Sequence, residues 1–468
     1  MSPLTCRPDE LSNILGRWST GSGTLIEDLV GALIPVIDAG ILPAGIGMPP
    51  QRGLATALGV SRGVVTTAYA ALEARGYLVS VQGSGSRVSS ARGHVQARSG
   101  GRLFSFTSAP GDVIDLSTGA LPASQVATEV IGAGLGNLGQ PYLLTDGYFP
   151  GGLPILRQAI ADQLTADGIP TRSAEILVTC GAQQATWLSV VSLVESGDLI
   201  LVEEPTYRGA LEVMRSQGAR VQGIQLTHAG IDTEQVVAAL RRHPTLLYCQ
   251  PGVHNPTGQH TSDKTRRELA AIVNHAGLLT VEDRSSADLT LTGPPGALGL
   301  AGLVEPQLLI TLGSLSKLFW GGLRVGWIRA TPERITALGE VLKSIHLGCS
   351  VYDQLMAVEM LRRTDDARLE RRAMLSQSLR LTESELADAL PGWSWEPIRG
   401  GSGLWVDTHS DAVELSERAK RVGLKLVTGP SFSAYGGQRS MLRLPVWHEP
   451  ELLSRGLAIL ASLSPKAS

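Results

Sequence analysis

The sequence predicts an α/β protein whose large domain contains a mostly parallel sheet and follows a smaller helical domain. Beyond residue 113, short apolar runs alternate with stretches of helical periodicity, which is typical of a parallel sheet covered by helices. Before residue 88, apolar residues recur instead at steps of three and four, which indicates amphipathic helices. The predicted domains are therefore residues 1–88 and 113–468, joined by a linker at 89–112 that is rich in Ser, Gly and Arg.

The composition is that of a globular protein. The chain has 468 residues, of which 43% are hydrophobic and 18% charged, and its formal net charge is −3, which excludes a disordered or collagen-like chain. It has neither an apolar run long enough to span a membrane nor the start of a signal peptide, so we expect a cytoplasmic protein with no membrane contact. The cysteines are far apart and form no Cys-x-x-Cys pair, so we expect buried thiols and neither a disulfide framework nor a metal site. They are Cys6, Cys180, Cys249 and Cys349.

The small domain shows the pattern of a helix-turn-helix followed by a hairpin. Apolar residues from Leu25 to Ile37 predict a first helix. Two further helices, near 52–58 and at 62–74, flank a tight glycine-containing turn at 59–61. Apolar alternation around a Gly-Ser-Gly turn at 77–89 predicts a small β-hairpin, or wing.

The basic residues of this region point to double-stranded DNA. Between Ile46 and Arg102 the chain carries seven arginines but only one acidic residue, Glu73. Such a surface neutralises phosphates and gives a salt-dependent affinity, while the N-terminal residues of the second helix enter the major groove. The alternative is a solvated helical hairpin with stray arginines. The predicted DNA contacts are Arg52, Ser61, Arg62, Gly63 and Thr66.

In the large domain, polar or small residues follow several of the apolar runs. In open α/β sheets, ligands bind at the carboxyl ends of the strands, so we expect the functional residues there. The predicted strands are 176–179, 199–202, 246–249, 278–281 and 308–312.

One of these runs leads to Lys317, one of only six lysines in the chain. Desolvation after an apolar strand lowers the pKa of an amine and makes it a nucleophile that can form a Schiff base. The nearby hydroxyls of Ser314 and Ser316 and the guanidinium of Arg324 together suit a phosphate monoester. The alternative is a surface lysine beside a turn.

Other strand ends carry compatible groups. Asn255 could donate to a phenolic oxygen, and Asp283 could keep a pyridine nitrogen protonated. The segment Gly181–Gln184 opens a predicted helix, whose free N–H groups bind phosphate. Tyr207 supplies an aromatic face. Taken singly, each has an ordinary structural explanation: a turn, a helix cap or a packed ring.

The ordered set GAQQ, EEPTY, NPTG, an Asp after a strand, SLSK and GGLRVGW resembles the fold-type-I aminotransferases that depend on pyridoxal 5'-phosphate. This resemblance implies that residues 113–468 have fold type I and bind pyridoxal 5'-phosphate as a cofactor. It implies that Lys317 forms a Schiff base with the cofactor and that Asp283 pairs with the pyridine nitrogen. It also implies that Asn255 binds the ring hydroxyl, that Tyr207 stacks on the ring and that Arg443 binds the α-carboxylate of a substrate. The implied phosphate-binding groups are the backbone of Ala182 and Gln183 and the side chains of Ser314, Ser316 and Arg324. For Arg443 the alternative is an exposed arginine on a strand.

Two positions depart from the aminotransferase pattern. Ser285 stands where relatives have a tyrosine that assists at the ring hydroxyl, and Tyr148 is one position out of register with another family tyrosine. Cofactor binding tolerates such losses better than turnover does, because turnover depends on finely placed proton transfer. We therefore expect at most residual aminotransferase activity.

Residues Leu25 to Val88 resemble the GntR-type winged helix-turn-helix, and the two resemblances together match the MocR/GabR family of bacterial regulators. This implies a homodimeric transcription factor whose body binds pyridoxal phosphate and senses an amino compound or the cofactor itself. Two alternatives stay open: an active aminotransferase with an accessory DNA-binding head, and a DNA-binding protein whose body has lost the cofactor and serves only in dimerisation.

Overall fold

The chain forms two compact units, Met1–Gly101 and Arg102–Ser468. Most of the predicted linker (90–112) and the turn of the predicted wing (82–84) lie outside the described residues. The computed structural model describes residues 5–16, 18–19, 24–38, 41–42, 45–75, 77–81, 85–89, 113–293 and 299–464.

The first unit, called the head below, contains helices followed by an antiparallel hairpin. The three helices predicted from the sequence are confirmed to within one residue at each end. Its elements are α1 (Pro8–Leu15), α2 (Leu25–Asp38), α3 (Gln51–Leu58), α4 (Arg62–Ala74), β1 (Leu78–Val81) and β2 (Gly85–Val88).

Local signals set the turn between α3 and α4. Gly59, with φ +67°, ends α3 in the left-handed conformation that favours glycine. Ser61 caps α4 by accepting a hydrogen bond from the Val64 N–H at 3.4 Å. The buried Tyr69 donates its hydroxyl to the Pro49 carbonyl at 3.0 Å, so α4 is tied to the segment before α3.

The second unit, called the body below, is α/β. Within the described residues, no helix combines the length and apolar composition that a bilayer-spanning segment requires. Its strands are β3 (Ile114–Asp115), β4 (Ile176–Thr179), β5 (Leu199–Glu204), β6 (Arg220–Thr227), β7 (Gly230–Ile231), β8 (Leu246–Cys249), β9 (Thr280–Asp283), β10 (Leu309–Ser314), β11 (Gly326–Arg329), β12 (Ser394–Trp395), β13 (Gly403–Asp407), β14 (Leu424–Lys425) and β15 (Met441–Pro445). Its helices are α5 (Gln125–Ala133), α6 (Pro154–Ala166), α7 (Ala182–Leu193), α8 (Arg208–Ser216), α9 (Thr233–Leu240), α10 (Asp263–Ala276), α11 (Pro332–Lys343), α12 (Val351–Leu361), α13 (Thr364–Ala389), α14 (Ala412–Arg421) and α15 (Pro450–Leu463).

The central sheet has the strand order β4-β11-β10-β9-β8-β5-β6-β7. β11 is antiparallel to both of its neighbours and β7 to β6, while the remaining pairs are parallel, which confirms the mostly parallel sheet. Ile200 and Val202 belong to one apolar cluster and Leu201 to another, because successive residues of a strand face opposite sides. The sheet is therefore covered on both faces.

Smaller sheets complete the body. β12, β13 and β15 form an antiparallel sheet, and β3 pairs with β14. The three-stranded sheet contributes Leu404, Val406, Leu442 and Leu444 to an apolar cluster of the second unit.

Three of the predicted strands are wrong by up to two residues at an end. The strands predicted at 199–202, 278–281 and 308–312 lie at Leu199–Glu204, Thr280–Asp283 and Leu309–Ser314. An apolar run marks only the apolar part of a strand, whereas the pairing continues through polar residues, with Leu312 opposite Asp283. Asp283 and Ser314 therefore end strands and do not lie in loops.

Candidate cofactor site and DNA-binding surface

The predicted cofactor residues lie at one edge of the central sheet. β8, β9 and β10 are parallel neighbours, and Asp283 and Ser314 end two of them. Asn255 follows β8, and Lys317 follows β10. Because carboxyl ends of parallel strands meet at one edge, the sheet brings these side chains to a common region.

Lys317 is partly buried and is held by a residue far away in sequence. Its Nζ donates to the Gly119 carbonyl at 2.6 Å. The same carbonyl accepts from Ser402 Oγ at 3.0 Å, and Ser402 Oγ accepts from Arg443 Nη2 at 3.2 Å. This chain of hydrogen bonds connects the predicted cofactor lysine to the predicted carboxylate-binding arginine. Sequence reasoning missed Gly119 and Ser402, since both act through long-range contacts.

Arg443 is a buried cation. It is 7% exposed, which excludes the alternative of an exposed arginine on a strand. Burial lowers its pKa to about 10, with a further lowering by Arg208 and an opposing effect of Tyr207, so it stays charged at neutral pH. Among the described residues, no carboxylate forms an ion pair with it. A buried charge without a counter-ion is costly, and this favours an anionic ligand.

The Asp283 carboxylate is oriented by neighbours on both oxygens. Oδ2 accepts from the Tyr248 hydroxyl at 2.6 Å, and Oδ1 accepts from the Ser285 N–H at 2.8 Å and from its hydroxyl. Burial, followed by the charge of Asp283, raises the pKa of Tyr248 well above its usual value, so its phenol remains a donor. Ser285 thus orients the Asp283 carboxylate. Sequence reasoning missed that Tyr248 does the same.

Asn255 carries an unsatisfied polar atom. Its Oδ1 is buried and has no hydrogen-bond partner among the described residues. Leaving such a group unpaired costs about 1–3 kcal/mol, so a polar ligand group at this point fits the amide, whichever of its two ends faces it. The unsatisfied amide fits the polar ring of pyridoxal phosphate.

Behind Asn255 lies a neutral buried pair. His254 Nε2 is 3.4 Å from Glu203 Oε2. Burial lowers the pKa of His254 to about 3 and raises that of Glu203 to about 8, where nearby Asp283 also raises it. At pH 7 both groups are therefore mainly uncharged, and the close approach is not an ion pair.

The turn before α7 and Arg324 together form a cradle where the sequence predicts phosphate binding. Gly181 has φ +90°, and a Cβ there would lie 2.9 Å from Arg324 Nη2. Arg324, itself in the left-handed conformation, donates from Nη2 to the Cys180 carbonyl at 2.6 Å. Ala182 and Gln183 begin α7, where backbone N–H groups point out of the helix and favour phosphate.

The remaining predicted residues frame this cradle. Tyr207 donates its hydroxyl to Gln183 Oε1 at 3.1 Å, which ties its ring to the start of α7. Ser314 Oγ accepts from the Ser316 N–H at 3.2 Å at the end of β10. Tyr148, the out-of-register tyrosine, is 61% exposed.

In the head, the predicted DNA contacts share one exposed region. Arg52 is exposed on α3, and Ser61, Arg62, Gly63 and Thr66 are exposed at the start of α4. The opposite side of α4 is buried, so a ligand can reach this helix only from its exposed side. Thr66 donates to Gln51 Oε1 at 2.9 Å, which fixes α4 against α3. No pattern in the sequence indicates that contact.

Comparison with known proteins identifies both units. The model of the aminotransferase class I and II family matches residues 111–460, and that of the bacterial regulatory proteins of the gntR family matches residues 25–88. The chain belongs to the MocR/GabR family. Its body is an aminotransferase class I and II domain, and its head is a GntR-type winged helix.

Relatives of this MocR/GabR-family protein include both regulators and enzymes. It is 27% identical to the uncharacterized HTH-type transcriptional regulator YisV of Bacillus subtilis, over 86% of this chain and 87% of that protein. It is 30% identical to the probable rhizopine catabolism regulatory protein MocR of Rhizobium meliloti, over 63% of each chain. The crystal structure of LysN, the α-aminoadipate aminotransferase of Thermus thermophilus, matches with a TM-score of 0.68 and 26% identity, over 75% of this chain and 92% of that one.

Proposed function

We propose that this MocR/GabR-family protein is a transcriptional regulator that binds double-stranded DNA through its head and pyridoxal 5'-phosphate through Lys317 of its body. The observation that carries the proposal is the buried link from Lys317 through Gly119 and Ser402 to Arg443, in a chain that also exposes a basic helix-turn-helix. One end of this link suits an aldehyde and the other a carboxylate. An amino acid would occupy both.

The residues present suit the cofactor. When bound, pyridoxal phosphate supplies an aldehyde and an electron-withdrawing ring. Lys317 would hold the aldehyde carbon, and Asp283, fixed by Tyr248, would keep a proton on the ring nitrogen. The LysN structure carries N-(5'-phosphopyridoxyl)-L-leucine, which supports the same class of ligand here.

Three further groups of residues would orient the cofactor. Asn255 would meet the ring hydroxyl, and Tyr207 would cover the ring. The phosphate would lie against the start of α7, Ser314, Ser316 and Arg324.

A cavity beside the site could admit the rest of an amino effector. It has a volume of about 480 Å³ and lies between the ends of β5, β6 and β8 and the three-stranded sheet. Its lining includes Trp395, Trp405, Glu396 and Asp407, and no lysine or arginine among the described residues. Aromatic rings and carboxylates attract an ammonium group, and the volume suits a small ligand.

This cavity adjoins the carboxylate-binding arginine. Trp405 lies directly opposite Arg443 in the β13–β15 pair, so both side chains project from the same face of that sheet. An effector with a carboxylate at Arg443 could therefore place a cationic side chain in the cavity.

The proposal includes a homodimer located in the cytoplasm. The matched gntR family supports DNA as the partner, and a DNA-binding protein must share a compartment with the chromosome. Sedimentation of the purified chain should show the mass of two chains.

An active aminotransferase is the second candidate, favoured by the intact set Lys317, Asp283 and Arg443. Incubation with amino acids and a keto acid distinguishes the two readings, because a regulator should transfer few amino groups. Rapid multiple turnover would favour the enzyme.

The deciding experiment is a titration of DNA from upstream of the protein's own gene, with and without pyridoxal phosphate. A panel of amino acids, amines without a carboxylate and carboxylates without an amine follows. We expect the cofactor to give a visible absorbance band and to change DNA affinity, and amino acids to change it further.

Lys317→Ala should lose both the band and the response to the cofactor, whereas the matched control Lys343→Ala, on the exposed side of α11, should keep both. A band that persists unchanged in Lys317→Ala would assign the anchor to another lysine.

A further inference from the structure

Two of the four cysteines meet beside the N-terminus of α7. The Sγ atoms of Cys180 and Cys349 are 3.0 Å apart, although 169 residues separate them in sequence. Cys180 precedes the Gly181 turn, and Cys349 precedes Ser350, the N-cap of α12. Both are free thiols, Cys349 buried and Cys180 partly exposed. The sequence-based expectation of a buried thiol is therefore wrong for Cys180, and the pairing with Cys349 was not predicted.

The two thiols differ in acidity. The hydrogen bond with Cys349 and the charge of Arg324 lower the pKa of Cys180 to about 7, against the opposing effect of burial. The hydrogen bond with Cys180 and burial raise the pKa of Cys349. The lowered pKa increases the fraction of Cys180 that is thiolate, the reactive form, at neutral pH, while Cys349 keeps its proton.

His346 is the third group at this point. Its ring lies near both sulfurs, so the three side chains could also be considered metal ligands. However, Nδ1 accepts from the Gly348 N–H at 3.0 Å, so the proton of the neutral ring is on Nε2. A metal would need the lone pair of that nitrogen, and metal-bound histidines normally donate from the other one. The arrangement favours thiol chemistry over metal binding.

We propose that Cys180 and Cys349 form a dithiol that a hydroperoxide oxidises to an intramolecular disulfide. The Cys180 thiolate attacks the peroxide, the O–O bond breaks, and an alcohol or water leaves with a proton from solvent, which gives a sulfenic acid. Cys349 then attacks the Cys180 sulfur, the S–O bond breaks, and the hydroxyl leaves as water with the Cys349 proton. Two thiols are oxidised and one peroxide is reduced.

Formation of this disulfide requires little movement of the two sulfur atoms. A disulfide has an S–S distance of about 2.05 Å, so the sulfurs must approach by about 1 Å. Both residues lie between regular elements, where such a shift disturbs no strand or helix. The bond would tie the Gly181 turn to the start of α12. If the proposed function is right, it would therefore tie the phosphate cradle to that helix.

The test exposes the reduced full-length protein to hydrogen peroxide, followed by thiol counting and peptide mapping. We expect two of the four thiols to disappear, a linked peptide pair containing residues 180 and 349, and full reversal by dithiothreitol. The result does not depend on cofactor binding, so a failed proposed function would leave it unchanged.

The matched controls come from the other two cysteines. The double variant Cys6→Ser, Cys249→Ser should form the same bridge, while Cys349→Ser should leave a sulfenic acid at Cys180 that dimedone traps. Mapping of the unmodified chain remains decisive if a variant fails to fold. The proposal is wrong if no linked 180–349 peptide appears, or if the purified protein holds one zinc ion that Cys180→Ser loses.

Discussion

At the scale of single residues, the Gly119 carbonyl connects two parts of the candidate site. It accepts from both Lys317 and Ser402, and the position leaves no room for a side chain, because a Cβ would overlap the Arg443 guanidinium. The buried cation must therefore pack against bare backbone. Any enlargement there displaces Arg443 from its hydrogen bond to Ser402.

Gly119→Ala should lower the free energy of unfolding by about 1–3 kcal/mol, because overpacking a buried position costs that much. It should also raise the concentration of pyridoxal phosphate needed to develop the visible band. The control is Gly132→Ala on α5, where a Cβ meets nothing within 4 Å, and where we expect a gain of about 0.5–1 kcal/mol. Denaturant unfolding measures both, and equal stabilities would contradict the packing argument.

Local chemistry explains which site residues could be predicted. Lys317, Asp283 and Asn255 each follow or end a strand, so the sequence beside them carries the signal. Gly119 and Ser402 carry no local signal, because their contacts are distant in sequence. Gly119 lies 198 residues before Lys317 and 283 residues before Ser402. The Cys180–Cys349 pair was missed for the same reason.

At the scale of elements, α4 is built to be anchored on one side and open on the other. Val65, Ala68, Tyr69 and Leu72 are buried, while the residues at its start are exposed. This periodicity made the helix predictable from the sequence to within a residue. The strand ends of the body were harder, because Asp283 and Ser314 extend strands by polar residues that no apolar pattern marks.

Arg62→Ala should weaken DNA binding and reduce the slope of log K against log salt by about 1, because one fewer phosphate is neutralised. Arg421→Ala, which removes the same charge at the end of α14 in the body, should leave the slope unchanged. Fluorescence anisotropy at several salt concentrations measures the slopes. An identical slope for Arg62→Ala and the unmodified chain would argue against α4 as the DNA-contacting helix.

At the scale of the whole molecule, the pair Glu203 and His254 links stability to pH. The folded pKa of Glu203 is about 8 against an ordinary 4.5, so between these values the folded state holds a proton that the unfolded chain releases, and stability falls as pH rises. The folded pKa of His254 is about 3 against 6.5, so over that range stability rises with pH. The two trends oppose each other between pH 4.5 and 6.5, and above pH 6.5 only Glu203 of this pair still changes its protonation.

In the unmodified chain, Glu203 should lower the free energy of unfolding by about 1.4 kcal/mol for each pH unit between pH 6.5 and 8. Glu203→Gln should abolish this contribution. The amide keeps an acceptor for the Gln250 N–H, which bonds Glu203 at 2.8 Å. Unfolding curves at pH 6.5, 7.2 and about 8 measure the slope. The control is Glu268→Gln, at an exposed position on α10, which should keep the slope of the unmodified chain. Parallel slopes for Glu203→Gln and the unmodified chain would show that Glu203 is already ionised.

The separation between the cavity wall and the lysine anchor bears on how such regulators diversify. Trp395, Glu396 and Asp407 line the cavity, and in the described part of the chain no hydrogen bond joins any of them to Asp283 or Arg443. If the proposed function is right, substitutions there change which small molecule is recognised, while Lys317, Asp283 and Arg443 are inherited unchanged. On that proposal, gene duplicates acquire new effectors through a few positions of the cavity wall, and swapping those positions between paralogues exchanges their responses.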